Sequence, residues 1–386
     1  MRVAFNVEQL LYHAPGGTAR YASRIAALLG SEAGVEEVLP FTAWHGRRAV
    51  ARALDRFGLS GGAAIAPVRR LPLPRPLLYE AWNATGSPAL DRLPRVLRGA
   101  DLVHSPSVVT PPCHRVPVVV NVHDAAFALF PETYPARGLR FHRRSVEMTA
   151  RRADLVITGT QSAAEEIVAN TPIPSDRLRV VPDGVDHRPA TVDEVKATLA
   201  RHQLNGLPYV LWVGSLEPRK NVSTLVEAFA LLHRRGDVPH QLVLVGPRGW
   251  LDRHLLPEEA KETLGAHLRV LGEVDDTELR ALYAGSELFA LPSLHEGFGL
   301  PVLEAMVQGT PVICSDIAVL REVAGGAARF VPPMEAGAWA DAIARLVVDR
   351  DECRLLVEAG HRRAAEFGWD RTARLTRAVY DEALAS

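Results

Sequence analysis

The stretch HEGFGLPVLEAM at residues 295–306 decides the fold class, because it joins a glycine turn to the start of a helix. Pro301 suits the first turn of a helix, since the missing N–H is not needed there and the fixed φ is already helical. Gly309 predicts where that helix ends. Apolar runs at residues 288–291 and 312–314 flank the stretch and have the character of buried strands. The order strand, loop, helix, strand is typical of a parallel α/β sheet.

The same alternation of short β-branched runs and helical stretches continues along the whole chain. The strands predicted in the N-terminal half are residues 3–7, 38–41, 102–104, 118–122, 155–158 and 179–181. The strands predicted in the C-terminal half are residues 209–213, 242–245, 268–271, 288–291, 312–314 and 330–331. This pattern predicts an α/β protein with two doubly wound, Rossmann-like domains that face each other across a cleft.

The domain boundaries are predicted from a polar stretch at residues 183–208, which has the character of a linker carrying one short amphipathic helix. The first domain is expected over residues 1–190 and the second over residues 205–368. Residues 369–386 are expected to form a C-terminal helix that packs back on the first domain. A chain of 386 residues is long enough for two such cores.

Composition limits the classes of function. A hydrophobic content of 47% and a charged content of 23% are typical of a soluble globular protein. A formal net charge of -1 predicts no binding to nucleic acid. The three cysteines are widely spaced and favour neither a disulfide framework nor a zinc site, which fits a reduced, cytoplasmic compartment. The sequence contains neither a signal-peptide pattern nor a run of about eighteen apolar residues.

The glycine turn of the deciding stretch also has the chemistry of a binding site. Gly297 and Gly299, on either side of Phe298, let the backbone approach a ligand and leave N–H groups available at a helix N-terminus, which favours an anion. Glu296 in the loop and Glu304 on the helix are suited to hydroxyl groups. An ordinary loop with two solvated glutamates is the alternative. The position after a buried strand favours a ligand that carries both a phosphate and a polyol.

A second motif with the same preference follows the strand at residues 209–213. Arg219 and Lys220 stand at its carboxyl end, where a planar guanidinium and a point charge together suit a diphosphate. Gly16 and Gly17 open a helix after the first strand of the chain. Their N–H groups suit the other side of the same diphosphate, and a plain tight turn explains them equally well.

His123 and Asp124 end the strand predicted at residues 118–122. A histidine there can hydrogen-bond a sugar hydroxyl or a developing charge, although a lone histidine is more often structural. Asp124 is suited either to orient His123 or to face an acceptor, and the sequence leaves both roles open.

No cofactor and no metal are expected. Neither half has a G-x-G-x-x-G motif after its first strand, and residues 297–302, the nearest match, carry Val302 in place of the third glycine. A nicotinamide or flavin enzyme is therefore disfavoured. The only D-x-D, Asp349 to Asp351, has the character of a helix boundary. The proline-rich segment at residues 69–82 suits either a lipid-linked acceptor at a membrane surface or a connection before a packed helix, and the second is slightly favoured.

Taken together, these motifs resemble the retaining glycosyltransferases of family 4, which have the GT-B fold. The resemblance rests on the Gly-Gly-x-x-Arg-Tyr start, the strand-end His-Asp, Pro-Asp-Gly-Val-Asp at 182–186, Glu-Pro-Arg-Lys-Asn at 217–221 and Glu-Gly-Phe-Gly-Leu-Pro at 296–301. It covers nearly the whole chain, and the last two motifs are highly specific. The resemblance implies an N-terminal acceptor domain and a C-terminal donor domain.

The resemblance also implies roles for individual residues. It assigns the donor diphosphate to Arg219 and Lys220, the sugar ring to Glu296 and the ribose hydroxyls to Glu304. It assigns a place beside the anomeric carbon to His123. The loop backbone would add donors for sugar and phosphate, and backbone atoms further along the second domain would contact the base. The loop residues are Gly297, Phe298 and Gly299, and the residues near the base are Gly246 and Val274.

The function implied is transfer of a hexose, mannose from GDP-mannose being the commonest case, to a glycan, a lipid-linked acceptor or a small molecule. A cytoplasmic protein in peripheral contact with the inner membrane face is compatible with such acceptors. The alternatives are a UDP- or dTDP-sugar transferase, a nucleotide-sugar epimerase of the same fold, and a non-catalytic nucleotide-sugar-binding protein. The oligomeric state is left open.

Overall fold

The computed structural model describes residues 1–12, 16–30, 34–59, 65–93, 99–249 and 256–385. The chain divides into two compact units: unit 1 is Met1–Gly184 with Trp369–Ser386, and unit 2 is Val185–Gly368. Each unit is a parallel sheet with helices between its strands. The predicted class, α/β with two doubly wound, Rossmann-like domains, is therefore confirmed.

The sheet of unit 1 has the strand order β3-β2-β1-β4-β5-β6-β7, with every pair parallel. The strands are β1 Arg2–Asn6, β2 Glu37–Thr42, β3 Arg69–Arg70, β4 Leu102–Ser105, β5 Val118–Asn121, β6 Leu155–Thr158 and β7 Leu178–Val180. The order reverses direction between β1 and β4, and in open α/β sheets ligands bind outside the carboxyl ends of the strands at such a point. The two-residue edge strand β3 was not predicted, because Arg69–Arg70 has no apolar pattern.

The C-terminus of the chain adds one helix to unit 1. The other helices of this unit connect its strands along the chain. They are α1 Gly17–Leu29, α2 Arg47–Arg56, α3 Arg75–Thr85, α4 Ala126–Leu129, α5 Ala136–Arg152 and α6 Gln161–Asn170. The segment predicted as either a membrane acceptor site or a packed connection forms β3 and α3, which buries Leu78, Tyr79 and Trp82 against the core. The structure thus supports the second alternative.

Unit 2 has a second parallel sheet with the order β10-β9-β8-β11-β12-β13. Its strands are β8 Tyr209–Val213, β9 Gln241–Val245, β10 Leu268–Gly272, β11 Leu288–Leu291, β12 Val312–Ser315 and β13 Arg329–Val331. Its helices are α7 Val192–Arg201, α8 Val222–Arg235, α9 Glu258–Leu264, α10 Asp276–Gly285, α11 Leu300–Val307, α12 Ala318–Ala324, α13 Ala336–Val348 and α14 Arg350–Ala364. Here the order reverses between β8 and β11.

The polar stretch predicted as a linker is structured and belongs mainly to unit 2. Thr191 and Glu194 form a reciprocal capping box at the start of α7, which satisfies two backbone N–H groups. The helix then packs against α10. Its composition is polar because only one face is covered.

The C-terminal helix α15, Trp369–Ala385, completes unit 1. The Tyr380 hydroxyl lies 2.5 Å from Nδ1 of the buried His104, whose Nε2 lies 2.6 Å from Asn121 Oδ1. Because an amide oxygen only accepts, His104 donates from Nε2 and accepts the phenolic proton at Nδ1. Burial lowers the pKa of His104 to about 4, so the imidazole is neutral and this arrangement persists at physiological pH.

Three further observations concern the start of α14, membrane-crossing helices and metal sites. Asp349 accepts a hydrogen bond from the backbone N–H of Glu352 and thereby caps α14, as a helix-boundary residue should. In the part of the chain that the structure describes, no helix is both long and apolar enough to cross a bilayer. Within the same residues, no group of three or more histidine, cysteine or carboxylate side chains has the arrangement of a metal site.

Candidate functional site

The candidate site of unit 2 lies where its strand order reverses. Lys220 follows β8 and Glu296 follows β11, so one ion pair joins the two loops at this point. Lys220 Nζ lies 2.7 Å from Glu296 Oε1 and 2.8 Å from Oε2, a bidentate contact. The Lys220 side chain is 13% exposed and that of Glu296 is 7% exposed. The two loops are therefore joined by charges that are largely removed from water.

Arg219 and two further side chains complete this cluster. Arg219 Nη1 lies 3.7 Å from Glu296 Oε2 and donates to the His295 carbonyl at 2.8 Å. Its Nη2 donates to Glu217 at 2.7 Å, and Ser293 donates to Glu296 Oε1 at 2.7 Å. Two cations thus face two buried carboxylates, and the cluster is neutral as it stands.

The charge state of Glu296 follows from these neighbours. Burial raises the pKa of its carboxyl group, but Lys220 and then Arg219 lower it by more. Hydrogen bonds from Lys220 and Ser293 act in the same direction. The net effect is a pKa below the ordinary range, so Glu296 is an anion at neutral pH and accepts hydrogen bonds.

The turn that carries Arg219 and Lys220 is held by Asn221. Asn221 occupies the capping position of α8, but its side chain does not cap the helix. Its backbone is left-handed (φ 52°, ψ 35°), and Nδ2 donates to the carbonyls of Pro292 at 2.9 Å and Pro333 at 2.7 Å. The side chain therefore ties the basic turn to the loops after β11 and β13 and fixes where the two cations lie.

The glycine turn before α11 has a backbone conformation that requires glycine at position 299. Gly299 has φ 97°, and a Cβ there would lie 2.7 Å from Leu320 Cδ2. Phe298 is buried and packs edge-on against Phe367, with ring centroids 5.8 Å apart. The side chain of Phe298 thus anchors the loop to the core, while Gly297 and Gly299 lie on either side of it at the N-terminus of α11.

Glu304 lies on α11, one turn beyond the glycine loop, as predicted. Its Oε2 accepts a hydrogen bond of 3.0 Å from the hydroxyl of Tyr283, a buried residue of α10. This contact fixes the direction of the carboxylate, which is partly exposed. The two glutamates of the motif therefore differ in setting: Glu296 is held by cations, and Glu304 by a neutral hydroxyl.

Gly246 and Val274 follow the neighbouring strands β9 and β10. Gly246 has φ 137°, and a Cβ there would lie 1.9 Å from the Gly214 carbonyl oxygen. Its own N–H donates to the Gly272 carbonyl at 2.8 Å. Of the two backbone groups of Gly246, only the carbonyl is left to contact a ligand, which restricts the predicted base contact to a donor on the base.

In unit 1, Gly16 is the residue before α1, and Gly17 is its first residue. A Cβ at Gly16 would meet no atom within 4 Å, so local packing does not demand glycine there. The preceding residues of the predicted turn, Ala14 and Pro15, lie outside the described residues. The role of this turn in holding a diphosphate stays a prediction.

His123 follows β5, with Nε2 3.2 Å from the Pro106 carbonyl and its ring edge-on to Tyr21 at 5.6 Å. Asp124 turns the other way: its Oδ1 accepts from the Ala126 backbone N–H at 3.0 Å. A second carboxylate, that of the buried Asp183, also interacts electrostatically with His123. Both roles that the sequence left open for Asp124 stay predictions, and Asp183 is a further carboxylate that interacts with His123.

Burial raises the pKa of Asp183 to about 6, although His123 acts to lower it. A carboxyl group whose pKa is higher in the folded state favours folding only while it is protonated. Its contribution is complete below the unfolded value near 4 and is lost as pH rises through about 6. We expect Asp183→Asn to raise the free energy of unfolding at pH 7 by up to about 3 kcal/mol relative to wild type. Chemical denaturation should show this difference shrinking toward pH 4, and a difference that is constant with pH would contradict it.

Sequence reasoning gave no individual role to Glu217, Ser293, Tyr283 and Asp183. Glu217 and Asp183 lie inside the motifs at 217–221 and 182–186, so their charge within those motifs was a signal that could have identified them. Ser293 and Tyr283 carry no such signal, because their importance comes from contacts with Glu296 and Glu304 that only the fold creates.

Comparison with known proteins identifies the family. The profile of the family described as glycosyltransferase family 4 matches residues 15–188, and that of glycosyl transferases group 1 matches residues 197–363. The chain is 30% identical over 381 residues to the O-antigen chain mannosyltransferase B of Escherichia coli, covering 96% of this chain and 97% of that protein.

Two other similarities are more distant or less complete. The chain is 34% identical over 259 residues to the D-inositol 3-phosphate glycosyltransferase of Salinispora tropica, covering 62% of this chain and 53% of that protein. The fold resembles the crystal structure of Anabaena Alr3699/HepE in complex with UDP and glucose, with a TM-score of 0.75 and 18% identity. That alignment covers 99% of this chain and 100% of the other.

Proposed function

Because the chain belongs to the group 1 glycosyl transferases of glycosyltransferase family 4, we propose that it transfers mannose from GDP-mannose to a glycan acceptor. The observation that carries the donor assignment is the buried cluster of Arg219, Lys220, Glu217 and Glu296 where the sheet of unit 2 reverses. Mannose and a glycan are favoured because the full-length Escherichia coli relative is named as an O-antigen mannosyltransferase.

In this proposal, donor binding exchanges the partners of the cluster. The cluster is neutral without a ligand, so the diphosphate gains charge stabilisation only if Lys220 leaves Glu296 for a phosphate oxygen. Glu296 then has two acceptor oxygens for sugar hydroxyls. Arg219, which Glu217 and the His295 carbonyl orient, adds a planar pair of donors. This exchange couples binding of the phosphate to binding of the sugar.

The leaving diphosphate is stabilised in the same way. Charge builds up on its oxygens as the glycosidic bond breaks, and fixed cations and N–H groups at the start of α11 act where that charge develops. We propose that Arg219 and Lys220 supply this stabilisation without a metal or other cofactor. Activity should then persist in the presence of a chelator such as EDTA.

We further propose that the reaction retains the anomeric configuration. Glu296 is held as an anion by two cations, so it is poorly suited to act as the acid of a two-carboxylate glycosidase site. In this proposal the leaving phosphate takes the acceptor proton, and the acceptor attacks on the face that the diphosphate leaves. The anomeric proton and carbon signals of the product in NMR would report retention or inversion.

The remaining roles follow from position in the two units. Glu304, directed by Tyr283, is assigned to the ribose hydroxyls. Gly297, Phe298 and Gly299 are assigned to sugar and phosphate through their backbone, and Gly246 and Val274 to the base. In unit 1, His123 and the Gly16–Gly17 turn are assigned to the donor sugar and diphosphate. A cytoplasmic location, with peripheral contact at the inner membrane face, remains part of the proposal.

Specific observations favour alternatives within the same fold. The HepE structure contains UDP, so a UDP-sugar donor is the main alternative to GDP-mannose, and a dTDP-sugar is another. The Salinispora relative is named for a small acceptor, inositol 3-phosphate. A nucleotide-sugar epimerase would use the same cluster without an acceptor. A non-catalytic protein would have no use for the full set of charged residues.

Thermal melting of the purified chain with millimolar GDP, UDP, dTDP, ADP and CDP in parallel tests the donor assignment. A ligand present at about a hundred times its Kd adds roughly 2.7 kcal/mol to the stability of the folded state, which raises the melting temperature by several degrees. We expect GDP to give the largest rise. A larger rise with another diphosphate would change the donor base, and no rise with any of the five would contradict a nucleotide-sugar site.

A further inference from the structure

A second group of polar side chains, some of them buried, lies in unit 1. Glu8, Tyr12, His45 and Arg75 form this group, which we call the Glu8 cluster, and the buried Gln9 is next to Glu8 in the chain. Glu8, Gln9 and Tyr12 follow the carboxyl end of β1, and His45 follows that of β2. The end of β1 is one side of the point where the sheet of unit 1 reverses, and Asn6 Nδ2 lies 3.3 Å from Ser105 Oγ at the end of β4 across it. A ligand position is expected there.

The centre of the cluster is a buried carboxylate paired with a histidine. The Glu8 side chain is 0% exposed, and its Oε1 lies 2.7 Å from His45 Nε2. Its Oε2 accepts from the Ala43 backbone N–H at 2.9 Å and from the Thr42 hydroxyl. The imidazole is 25% exposed, and its Nδ1 makes no hydrogen bond with any described residue. Glu8 therefore fixes the direction of a ring whose other nitrogen is left for a ligand.

Tyr12 and Arg75 form the partly exposed border of the cluster. The guanidinium carbon of Arg75 lies 4.6 Å from the centroid of the Tyr12 ring, a cation–π contact. Burial raises the pKa of Tyr12 to about 12, with Arg75 acting against it and Glu8 adding to it. The phenol thus keeps its proton and donates at neutral pH. The border offers hydrogen-bond donors beside an aromatic surface, which suits a polyhydroxylated molecule.

Gln9, next to Glu8 in the chain, has hydrogen-bonding capacity that the described residues do not use. Its side chain is completely buried, yet neither Nε2 nor Oε1 has a hydrogen-bond partner among the described residues. An unpaired buried polar group costs about 1–3 kcal/mol, so such groups are rare unless a ligand or water satisfies them. The Gln9 amide and Nδ1 of the partly exposed His45 are therefore both available to a ligand or to water.

The position of the cluster in the sheet limits its role. His45 follows β2 and His123 follows β5, and β1 and β4 lie between them in the sheet. Three strand spacings amount to about 14 Å. A group at that distance from His123 does not touch the hydroxyl that reacts beside it. The Glu8 cluster therefore suits a part of the acceptor that is remote from the reaction.

We propose that the Glu8 cluster is a remote acceptor subsite that binds hydroxyl groups of a glycan beyond the sugar that receives mannose. The proposal rests on the proposed function, since it assumes a glycan acceptor. In this subsite His45 Nδ1 and the Tyr12 hydroxyl contact the glycan, Arg75 stacks on Tyr12 and donates, and Glu8 positions His45. Binding energy from a remote part of a substrate can serve to orient its reacting group, so longer acceptors should bind and react better.

Calorimetric titration of the full chain, with and without GDP, against α-mannotriose and methyl α-mannopyranoside tests this. We expect the trisaccharide to bind at least tenfold more tightly than the monosaccharide. His45→Gln should remove most of that advantage, because the amide can still donate to Glu8 but does not reproduce the imidazole Nδ1. Tyr12→Phe should remove part of it. Neither variant should alter the affinity for the monosaccharide or the rise in melting temperature with GDP, which also reports folding.

His114→Gln is the matched control, because His114 is an exposed histidine of the same unit. It should bind the trisaccharide as wild type does. The inference is overturned if His45→Gln and wild type bind α-mannotriose equally well, or if wild type binds GDP but shows no preference for the trisaccharide. Failure of wild type to bind any nucleoside diphosphate would overturn the proposed function itself, which separates the two outcomes.

Discussion

Lys220→Met is expected to lower kcat/KM for the sugar donor by about 10²–10³-fold, since it removes a fixed charge from the diphosphate. The same substitution should lower the free energy of unfolding by about 2 kcal/mol, because it leaves the buried carboxylate of Glu296 without its nearest cation. Arg219, 3.7 Å from Glu296, and the Ser293 hydroxyl keep this loss below that of a completely isolated charge. Steady-state kinetics and urea unfolding measure the two effects separately.

A second substitution distinguishes the two roles of Lys220. In Lys220→Met with Glu296→Gln, no unpaired charge is buried, so stability should return toward that of wild type while activity stays low. Lys261→Met is the matched control, because Lys261 is a lysine of the same unit that pairs with Glu258 at the surface. It should change neither property. A Lys220→Met enzyme with wild-type kcat/KM would refute the assignment of Lys220 to the diphosphate.

Gly246→Ala is expected to cause the largest loss of stability, about 4 kcal/mol. The new Cβ would lie 1.9 Å from the Gly214 carbonyl oxygen, a backbone atom that cannot move aside like a flexible side chain. The backbone at φ 137° is also unfavourable for any residue with a Cβ. The melting temperature should fall by about 10 °C, and nucleotide binding should weaken because the ends of β8 and β9 must move apart.

Gly236→Ala separates the steric contribution from the conformational one. Gly236 also has a positive φ, 70°, but a Cβ there would meet no atom within 4 Å. This control should lose only about 1 kcal/mol, the cost of a left-handed alanine. Equal losses in the two variants, measured by thermal or urea unfolding, would show that the close approach to Gly214 is not what requires glycine at 246.

Much of the fold was predictable because its signals are local. Each strand predicted from an apolar or β-branched run is present with its ends within about one residue, since buried parallel strands need continuous apolar sequence. The turn at Gly299 was predictable because a glycine followed closely by a proline is typical of a tight turn that leads into a helix. The edge strand β3 and the capped helix α7 were harder, because polar residues at edges and surfaces carry little pattern.

The candidate site was predictable as a set of residues but not as a set of contacts. The sequence places Arg219, Lys220 and Glu296 in motifs at strand ends, yet nothing in it indicates that Lys220 and Glu296 hold each other in a bidentate pair. That pair depends on β8 and β11 being neighbours, which is a property of strand order. For the same reason the sequence did not indicate that Asp183 lies close enough to His123 to interact with it electrostatically.

The most direct test of the central claim is incubation of the chain with GDP-mannose and α-mannotriose, followed by mass spectrometry of the sugars and quantification of GDP. A mannosyltransferase should produce a saccharide longer by one mannose and release one GDP for each residue transferred. The same products in smaller amount from UDP- or dTDP-sugars would agree with a preference for GDP-mannose. Conversion of GDP-mannose to another GDP-sugar without release of GDP would contradict transfer and identify an epimerase instead.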